Sequence, residues 1–465
     1  MSNILEQLKS VVGPKGFSTE PAEIAPHLEE WRSKYTGSSP LLLKPATTQE
    51  VSAILALCNQ TGTAVVPQGG NTGLVGAQIP FNNEILISLS RLNQIRSIDP
   101  HDASMIVEAG VILAEAQKLA DDNNLLLAPS LASEGSATIG GLISSNAGGV
   151  NVLRYGMMRE QILGLEVVMA DGRILKGLRT LRKDNTGYDL KQLFVGAEGT
   201  LGIVTAAALK LLPKPAEKAT ALIAVPSVKA ATALLATLQH HTNGLLSAFE
   251  IISHAGLDLV LKHIPNTRDP FTASSQWYVL CEAAGIKGVG DAFLSGLEKA
   301  LNDGIASDIV MASNEAQRSN LWRLRETLSE AQKLEGPSIK HDISVPISAA
   351  ADFIDTAIAA VATRLPAAQP VPFGHLGDGN LHFNFQMSSG TDPKSYLSHW
   401  EEIQQIVHDI AHEFGGSFSA EHGVGVMKRE ALRRYKSPLE IEMMQTLKRA
   451  FDPKNILNPG KLLPG

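Results

Sequence analysis

A glycine-rich loop that fails to open a helix is the strongest constraint on how this chain can fold. The β-branched run at 63–66 passes into Pro67-Gln68-Gly69-Gly70-Asn71-Thr72-Gly73-Leu74-Val75-Gly76. Glycines let the backbone reach positive φ and admit a bulky anion close to the main chain. Successive N–H groups in such a loop form a nest for phosphate. A Rossmann dinucleotide site requires the last glycine to open a helix, and here Pro80 follows four residues after Gly76. That fold is excluded; a plain surface loop remains the alternative.

Two more clusters follow, Gly140-Gly141-Leu142-Ile143-Ser144-Ser145-Asn146-Ala147-Gly148-Gly149 and Gly196-Ala197-Glu198-Gly199-Thr200-Leu201-Gly202-Ile203-Val204. Each alone reads as a turn; together they suggest a long nucleotide cofactor laid across several loops. Around them the texture is α+β. Thr47 and Glu50 form a capping box ahead of Val51, Ile54, Leu55 and Cys58 at helical spacing. The segment 112–123 reads as a second helix, and Asp171-Gly172 sits between strand signals at 165–169 and 173–175 as a hairpin. Pro213-Lys214-Pro215 then breaks the pattern. Beyond it, strand 219–225 with helix 227–241, and strand 277–283 with helix 288–302, suit a ferredoxin-like antiparallel sheet with helices on one face. The expected division is 1–215, 216–415 and a C-terminal segment 416–465.

A chain of 465 residues is too long for one core. Its net charge of −7 and the absence of any lysine or arginine block argue against nucleic acid. Cys58 and Cys281 form neither a disulfide framework nor a metal spacing, which fits a reducing compartment. Glu6, Glu20, Glu23, Glu29 and Glu30 precede or surround the first arginine, Arg32, and no apolar run has membrane-spanning length. The expectation is a cytoplasmic protein, or one already trimmed of any address, with no membrane span.

The stretch Gly374-His375-Leu376-Gly377-Asp378-Gly379-Asn380-Leu381-His382-Phe383-Asn384 carries the most chemistry. Asp378-Gly379 favours a two-residue type I′ turn, which would set His375 directly across from His382. Asn384 would share their face. Two imidazoles so placed suit one cation, although two solvent-facing histidines on an ordinary hairpin have the same spacing. Ser419-Ala420-Glu421-His422-Gly423 offers a carboxylate and a further imidazole in a glycine-flanked loop. His375, His382 and Glu421, with positions open to water or substrate, make a catalytic zinc-type set; manganese, cobalt or iron also suit it.

A helix running through 321–329 and ending before Gly336-Pro337 would put Arg325 and Ser329 on one face, and Lys340 opens the strand-like run 339–345. Arginine grips a carboxylate through two donors and lysine adds a point charge. The bland reading is two solvated cations.

The glycine segments, with Lys183-Asp184-Asn185-Thr186-Gly187-Tyr188-Asp189-Leu190 and Ile456-Leu457-Asn458-Pro459-Gly460-Lys461, resemble the vanillyl-alcohol oxidase / p-cresol methylhydroxylase family of flavoproteins. The resemblance runs from about residue 35 to 463. It implies a family-type FAD-binding domain, completed by the C-terminal segment, around a ferredoxin-like α+β cap. FAD would lie on Pro67, Gly69, Gly70, Asn71, Thr72, Gly73, Leu74, Pro129, Ser130, Gly135, Gly140, Asn146, Gly199, Ile203 and Asn458. Relatives that tether the flavin do so through a histidine or cysteine in the first two loops; 69–76 and 140–149 contain neither, so the expected FAD is non-covalent.

The same resemblance implies His375, His382 and Glu421 as ligands of a divalent metal, zinc first, and His422 as the base. Arg325, Ser329 (where threonine is usual), Lys340 and Asn384 would contact substrate. The implied reaction is oxidation of a D-2-hydroxy acid to the 2-oxo acid by hydride transfer to flavin N5. Two cations plus a metal exceed the needs of lactate or glycolate and favour a five-carbon dicarboxylate, D-2-hydroxyglutarate. Electrons would pass to an acceptor such as electron-transfer flavoprotein or a quinone, from a homodimer. An enzyme of D-lactate or glycolate, an oxygen-using oxidase and a non-catalytic flavin-binding subunit are the competing readings; the last should lack the metal residues.

Overall fold

A computed structural model of the chain describes residues 2–463. It divides into two compact units: residues up to Gly149 with Gly156–Lys214 and everything from Glu421 onward, and Val150–Tyr155 with Pro215–Ala420.

The first unit is built on two main sheets, with a two-stranded ladder of Leu125–Leu126 and Leu212–Pro213 beside them. In the smaller main sheet, Leu42–Leu43 and Val65–Gln68 flank Ile85–Ser88 in parallel. Helix Thr48–Thr61 covers it through Val51, Ile54, Leu55 and Cys58. That helix starts where expected: Thr47 accepts the Glu50 N–H at 3.1 Å, and Glu50 accepts from Ala46 N rather than from the cap itself. It stops at Gly62, whose φ of 68° suits the left-handed cap. The larger sheet is antiparallel, in the order Ile95–Asp99, Ser104–Glu108, Ile203–Lys210, Ile162–Val168, Ile174–Gly177. Helices Leu113–Asp122 and Ile139–Ser145 supply apolar residues to its core. The chain's end returns to the first sheet, where Val65 N donates to Ile456 O and Asn458 N to Val65 O, both at 2.8 Å.

The second unit carries an eight-stranded antiparallel sheet. Its first four strands in sequence, Glu217–Val225, Leu246–Ser253, Trp277–Gly285 and Asp308–Met311, stand in the spatial order fourth, first, third, second, the ferredoxin-like arrangement. Ala368–Gly374 and Asn380–Met387 extend it, and Ser338–Ile339 and Ile343–Ser344 both pair with the last of these.

Helices cover both faces, not one as the spacing suggested. Phe249, Ile251, Val279 and Cys281 face Val228–His241, Val289–Asn302 and Ala350–Arg364. Their alternates Ala248, Ile252, Tyr278 and Leu280 pack with Leu257, Val260, Leu321, Trp322, Leu324 and Leu328 from three further helices. Strands buried on both faces read as continuous apolar runs, and each fully buried Leu, Ile or Phe contributes roughly 1.5–3 kcal/mol.

Candidate functional site

In the first unit the glycine loops meet. A Cβ at Gly69 would stand 2.3 Å from Thr138 Oγ1, and one at Gly70 would stand 2.0 Å from Ser136 O. The first loop therefore lies flush against 136–138, and only glycine fits. Gly140 is held against Ala109 in the same way. Gly199, at φ +72°, rests on the Pro67 ring, where a Cβ would stand 2.6 Å from its Cγ. Asn146 caps helix Ile139–Ser145 in the left-handed region and accepts the Arg159 N–H at 2.9 Å. Asn458 donates to Ala77 O and Glu198 O at 3.0 and 2.7 Å, so the C-terminal segment ties the first and third loops together.

Asn71 donates to Pro26 O and Glu29 O, Pro129 O accepts from Gln117, and Ser130 donates to Glu134. Space around the Gly135 Cα is open, and Ile203 begins a buried strand. Further along the first loop, Thr72 and Leu74 are partly accessible and Gly73 is exposed. Thr138 Oγ1 and Asn458 Oδ1 are buried with no hydrogen-bond partner among the described residues. A buried, unmatched polar atom is costly. Two such atoms beside a glycine-lined backbone fit a polar, phosphate-bearing cofactor such as FAD.

The loop bearing Glu421 and His422 is stitched to this cradle. Glu421 Oε1 accepts the Gly149 N–H at 3.1 Å. Val426 N donates to Val75 O, and a Cβ at Gly425 would stand 2.2 Å from that same carbonyl oxygen. Glu198 accepts Val424 N at 2.7 Å and Gly425 N at 2.8 Å. Burial pushes the Glu198 carboxyl up to about 7, outweighing these donors and the nearby Lys428 and Lys461. Glu198 lies within the third glycine segment, but nothing in its spacing marks it as a brace for the His422 loop.

In the second unit the histidine pair forms by a route the sequence did not indicate. Phe373, not His375, lies opposite His382. The connection is longer than a two-residue turn: Leu376–Asp378 is a 3₁₀ turn, followed by Gly379 at φ +82°. Packing explains the difference. Leu376 is fully buried, and Gly377 is pressed against Leu153 and Phe249, which draws both out of the ladder. The two imidazoles still come together, with ring centroids 5.5 Å apart at 73°. His382 also lies against the Phe373 ring at 5.1 Å.

Behind His375 stands Glu250, fully buried in the middle of strand Leu246–Ser253. The His375 Nδ1–H donates to Glu250 Oε1 at 2.7 Å, and Arg325 Nε donates to Glu250 Oε2 at 2.8 Å. The Arg325 guanidinium lies over the Phe373 ring at 5.0 Å. Burial works to raise the Glu250 carboxyl, but His375 and Arg325 outweigh it and hold it below the usual carboxylate range. Protonation at Nδ1 makes Nε2 the lone-pair nitrogen of His375, the tautomer of a metal-bound imidazole with a carboxylate behind it. The donor set fits a divalent transition ion. A lone acid in an apolar strand was the available signal for Glu250.

The helix expected over 321–329 is two helices, Glu315–Glu326 and Leu328–Glu335, broken at Thr327. The buried Leu328 starts the second. Arg325 is buried on the first and Ser329 is exposed on the second, so the shared face does not form. Lys340 lies half-buried in the break between Ser338–Ile339 and Ile343–Ser344. Asn384 is buried; its Oδ1 accepts His341 N at 3.0 Å and its Nδ2 donates to Gln332 at 2.9 Å.

Residues 39–177 match the FAD binding domain family, and 214–462, more than half the chain, match the C-terminal domain of FAD linked oxidases. The mitochondrial D-2-hydroxyglutarate dehydrogenase of Arabidopsis thaliana is 39% identical, aligned to 100% of this chain and 82% of its own. That of Bos taurus is also 39% identical, over 99% and 83%. The solved structure of p-cresol methylhydroxylase superposes with a TM-score of 0.76 at 16% identity, covering 99% of this chain and 96% of that one, a likeness of fold. The cytoplasmic expectation is overturned by these relatives, which are named as mitochondrial; the acidic early residues that suggested it carry no address information of their own. Among the described residues no helix is long and apolar enough to cross a membrane.

Proposed function

The chain belongs to the FAD-linked oxidases and is an FAD-dependent oxidoreductase; we propose that it oxidises D-2-hydroxyglutarate to 2-oxoglutarate with non-covalent FAD and a divalent metal, zinc first. The observation that carries the metal is the His375 and His382 pair, two imidazoles with centroids 5.5 Å apart and one of them backed by a buried carboxylate. The names of the relatives support the substrate.

When bound, FAD supplies the hydride acceptor at flavin N5, and the cation supplies a Lewis acid that lowers the hydroxyl pKa. His375 and His382, with Glu421 as the third ligand that the family resemblance implies, hold the cation. An imidazole nitrogen of His422 takes the proton of the substrate hydroxyl as the C2 hydrogen leaves with its electron pair. Arg325 and Lys340 grip the carboxylates, with Ser329 and Asn384 as the remaining substrate contacts. The loop Gly69–Leu74, with Pro67, Pro129, Ser130, Gly135, Gly140, Asn146, Gly199, Ile203 and Asn458, holds the flavin without a covalent bond. Electrons leave to a protein flavin or a quinone, and the working form is a homodimer.

The test is anaerobic mixing of the yellow protein with D-2-hydroxyglutarate, its L-enantiomer and D-lactate. Bleaching of the flavin band should be fastest with D-2-hydroxyglutarate. Faster bleaching by D-lactate would assign the protein to monocarboxylic acids. Admitting air afterwards separates a dehydrogenase, which recovers colour slowly, from an oxidase.

A further inference from the structure

On one face of the second unit's sheet, two glutamates are buried in neighbouring strands, and each takes an arginine from helix Glu315–Glu326. Glu282 binds Arg318 at 2.7 Å, together with Trp322 Nε1 at 3.1 Å and Thr220 Oγ1 at 2.8 Å. Thr220 and Trp322 are buried and Arg318 is partly exposed; none of the three is an expected site residue, and Glu282 reads as structure. Glu250 differs. Its two oxygens hold His375 and Arg325, one group expected to bind the metal and one expected to bind substrate.

A buried ion pair adds little net stability over an apolar filling of the same volume. The strand around Glu250 is apolar, with Phe249, Ile251 and Ile252 all buried. Stability alone gives no reason for a carboxylate there.

We infer that Glu250 is a positioning residue that sets the metal-binding and carboxylate-binding groups together, one through each oxygen. Oε1 fixes His375 as the Nδ1–H tautomer, so that Nε2 carries the lone pair offered to the cation and gains basicity. Oε2 engages Arg325 at Nε and not at the end that carries both Nη groups, and the guanidinium lies over the Phe373 ring. The Nη edge is then the one presented to a carboxylate. This inference rests on the metal-assisted reading above.

The test uses the flavin-loaded protein stripped of metal by chelator and titrated with Co²⁺ against a chromogenic chelator. Glu250→Gln should weaken Co²⁺ binding roughly 10–100-fold, as loss of a carboxylate behind a metal-bound histidine does. It should also raise KM for D-2-hydroxyglutarate about 2- to 10-fold, the worth of one ordinary hydrogen bond. Flavin content should stay near wild type, while the unfolding temperature should fall, because Arg325 is left buried without its carboxylate. In an Arg325→Gln background, Glu250→Gln should add nothing to KM and still weaken Co²⁺ binding. Should Glu250→Gln fail to fold, Glu250→Asp keeps the charge, shortens the reach and should lose part of both effects. Co²⁺ affinity and KM unchanged in the variant that folds, or KM effects that multiply in the double variant, would overturn the inference. A wild-type protein that takes up no Co²⁺ would instead sink the metal reading, and this inference with it.

Discussion

Glu198 and Gly425, 227 residues apart in sequence, are joined by a 2.8 Å hydrogen bond from the Gly425 N–H to Oε2. With Val424 N on the other oxygen, the carboxyl group fastens the loop that carries His422 onto the third glycine segment. Burial pushes this group up to about 7, above the ordinary 4.5. The folded state thus favours the protonated form. Its contribution is full below about pH 4.5 and fades as pH rises through about 7, a change on the order of 3 kcal/mol. Unfolding midpoints of wild type and Glu198→Gln, measured from pH 4 to 8, should diverge over that window, with wild type losing ground as pH rises. Parallel curves would mean that Glu198 titrates at its ordinary value.

Neither the loop 69–76 nor 140–149 contains histidine or cysteine, and the expected flavin is therefore released on denaturation. Acid precipitation should leave a yellow supernatant. A yellow pellet would show a covalent link elsewhere in the chain.

His422→Asn should lower kcat about 10²–10⁴-fold, the usual worth of a general base, with flavin content unchanged. Comparing turnover at equal flavin absorbance gives the result directly. A loss below about tenfold would pass the proton to metal-bound hydroxide or solvent.

Lys340→Met retains the apolar stem and deletes the charge. If Lys340 holds the carboxylate that D-2-hydroxyglutarate has and D-lactate lacks, kcat/KM should fall roughly 10–150-fold on the first acid and stay nearly level on the second. Equal losses on both would place Lys340 at the end of the molecule that the two acids share.

What the sequence made legible was local. The glycine segments, the Pro80 stop, the Thr47 cap and the ferredoxin-like strand and helix spacing all rest on a few adjacent residues. What it hid depends on packing. Asp378-Gly379 favours a tight turn in isolation, but burial of Leu376 lengthens the connection and shifts His382 across from Phe373. An unbroken helical pattern at 321–329 gave no warning of the break at Thr327. Glu250 stands 75 residues from Arg325 and 125 from His375, so no window of sequence contains the group. An acid inside an apolar strand is the one local sign of such a hub. Helices cover both faces of the second sheet, and the near-continuous apolar runs 219–225 and 277–281 are the local sign of it, which strand and helix spacing alone does not carry.

The proposed metal dependence is tested most directly by following flavin reduction in protein depleted of metal. The flavin-loaded enzyme is dialysed against chelator, shown metal-free by elemental analysis, and mixed anaerobically with D-2-hydroxyglutarate. The flavin band should persist unbleached, and stoichiometric Zn²⁺, Co²⁺ or Mn²⁺ should restore its reduction. Bleaching at the full rate in the metal-free protein would contradict a metal role for His375, His382 and Glu421.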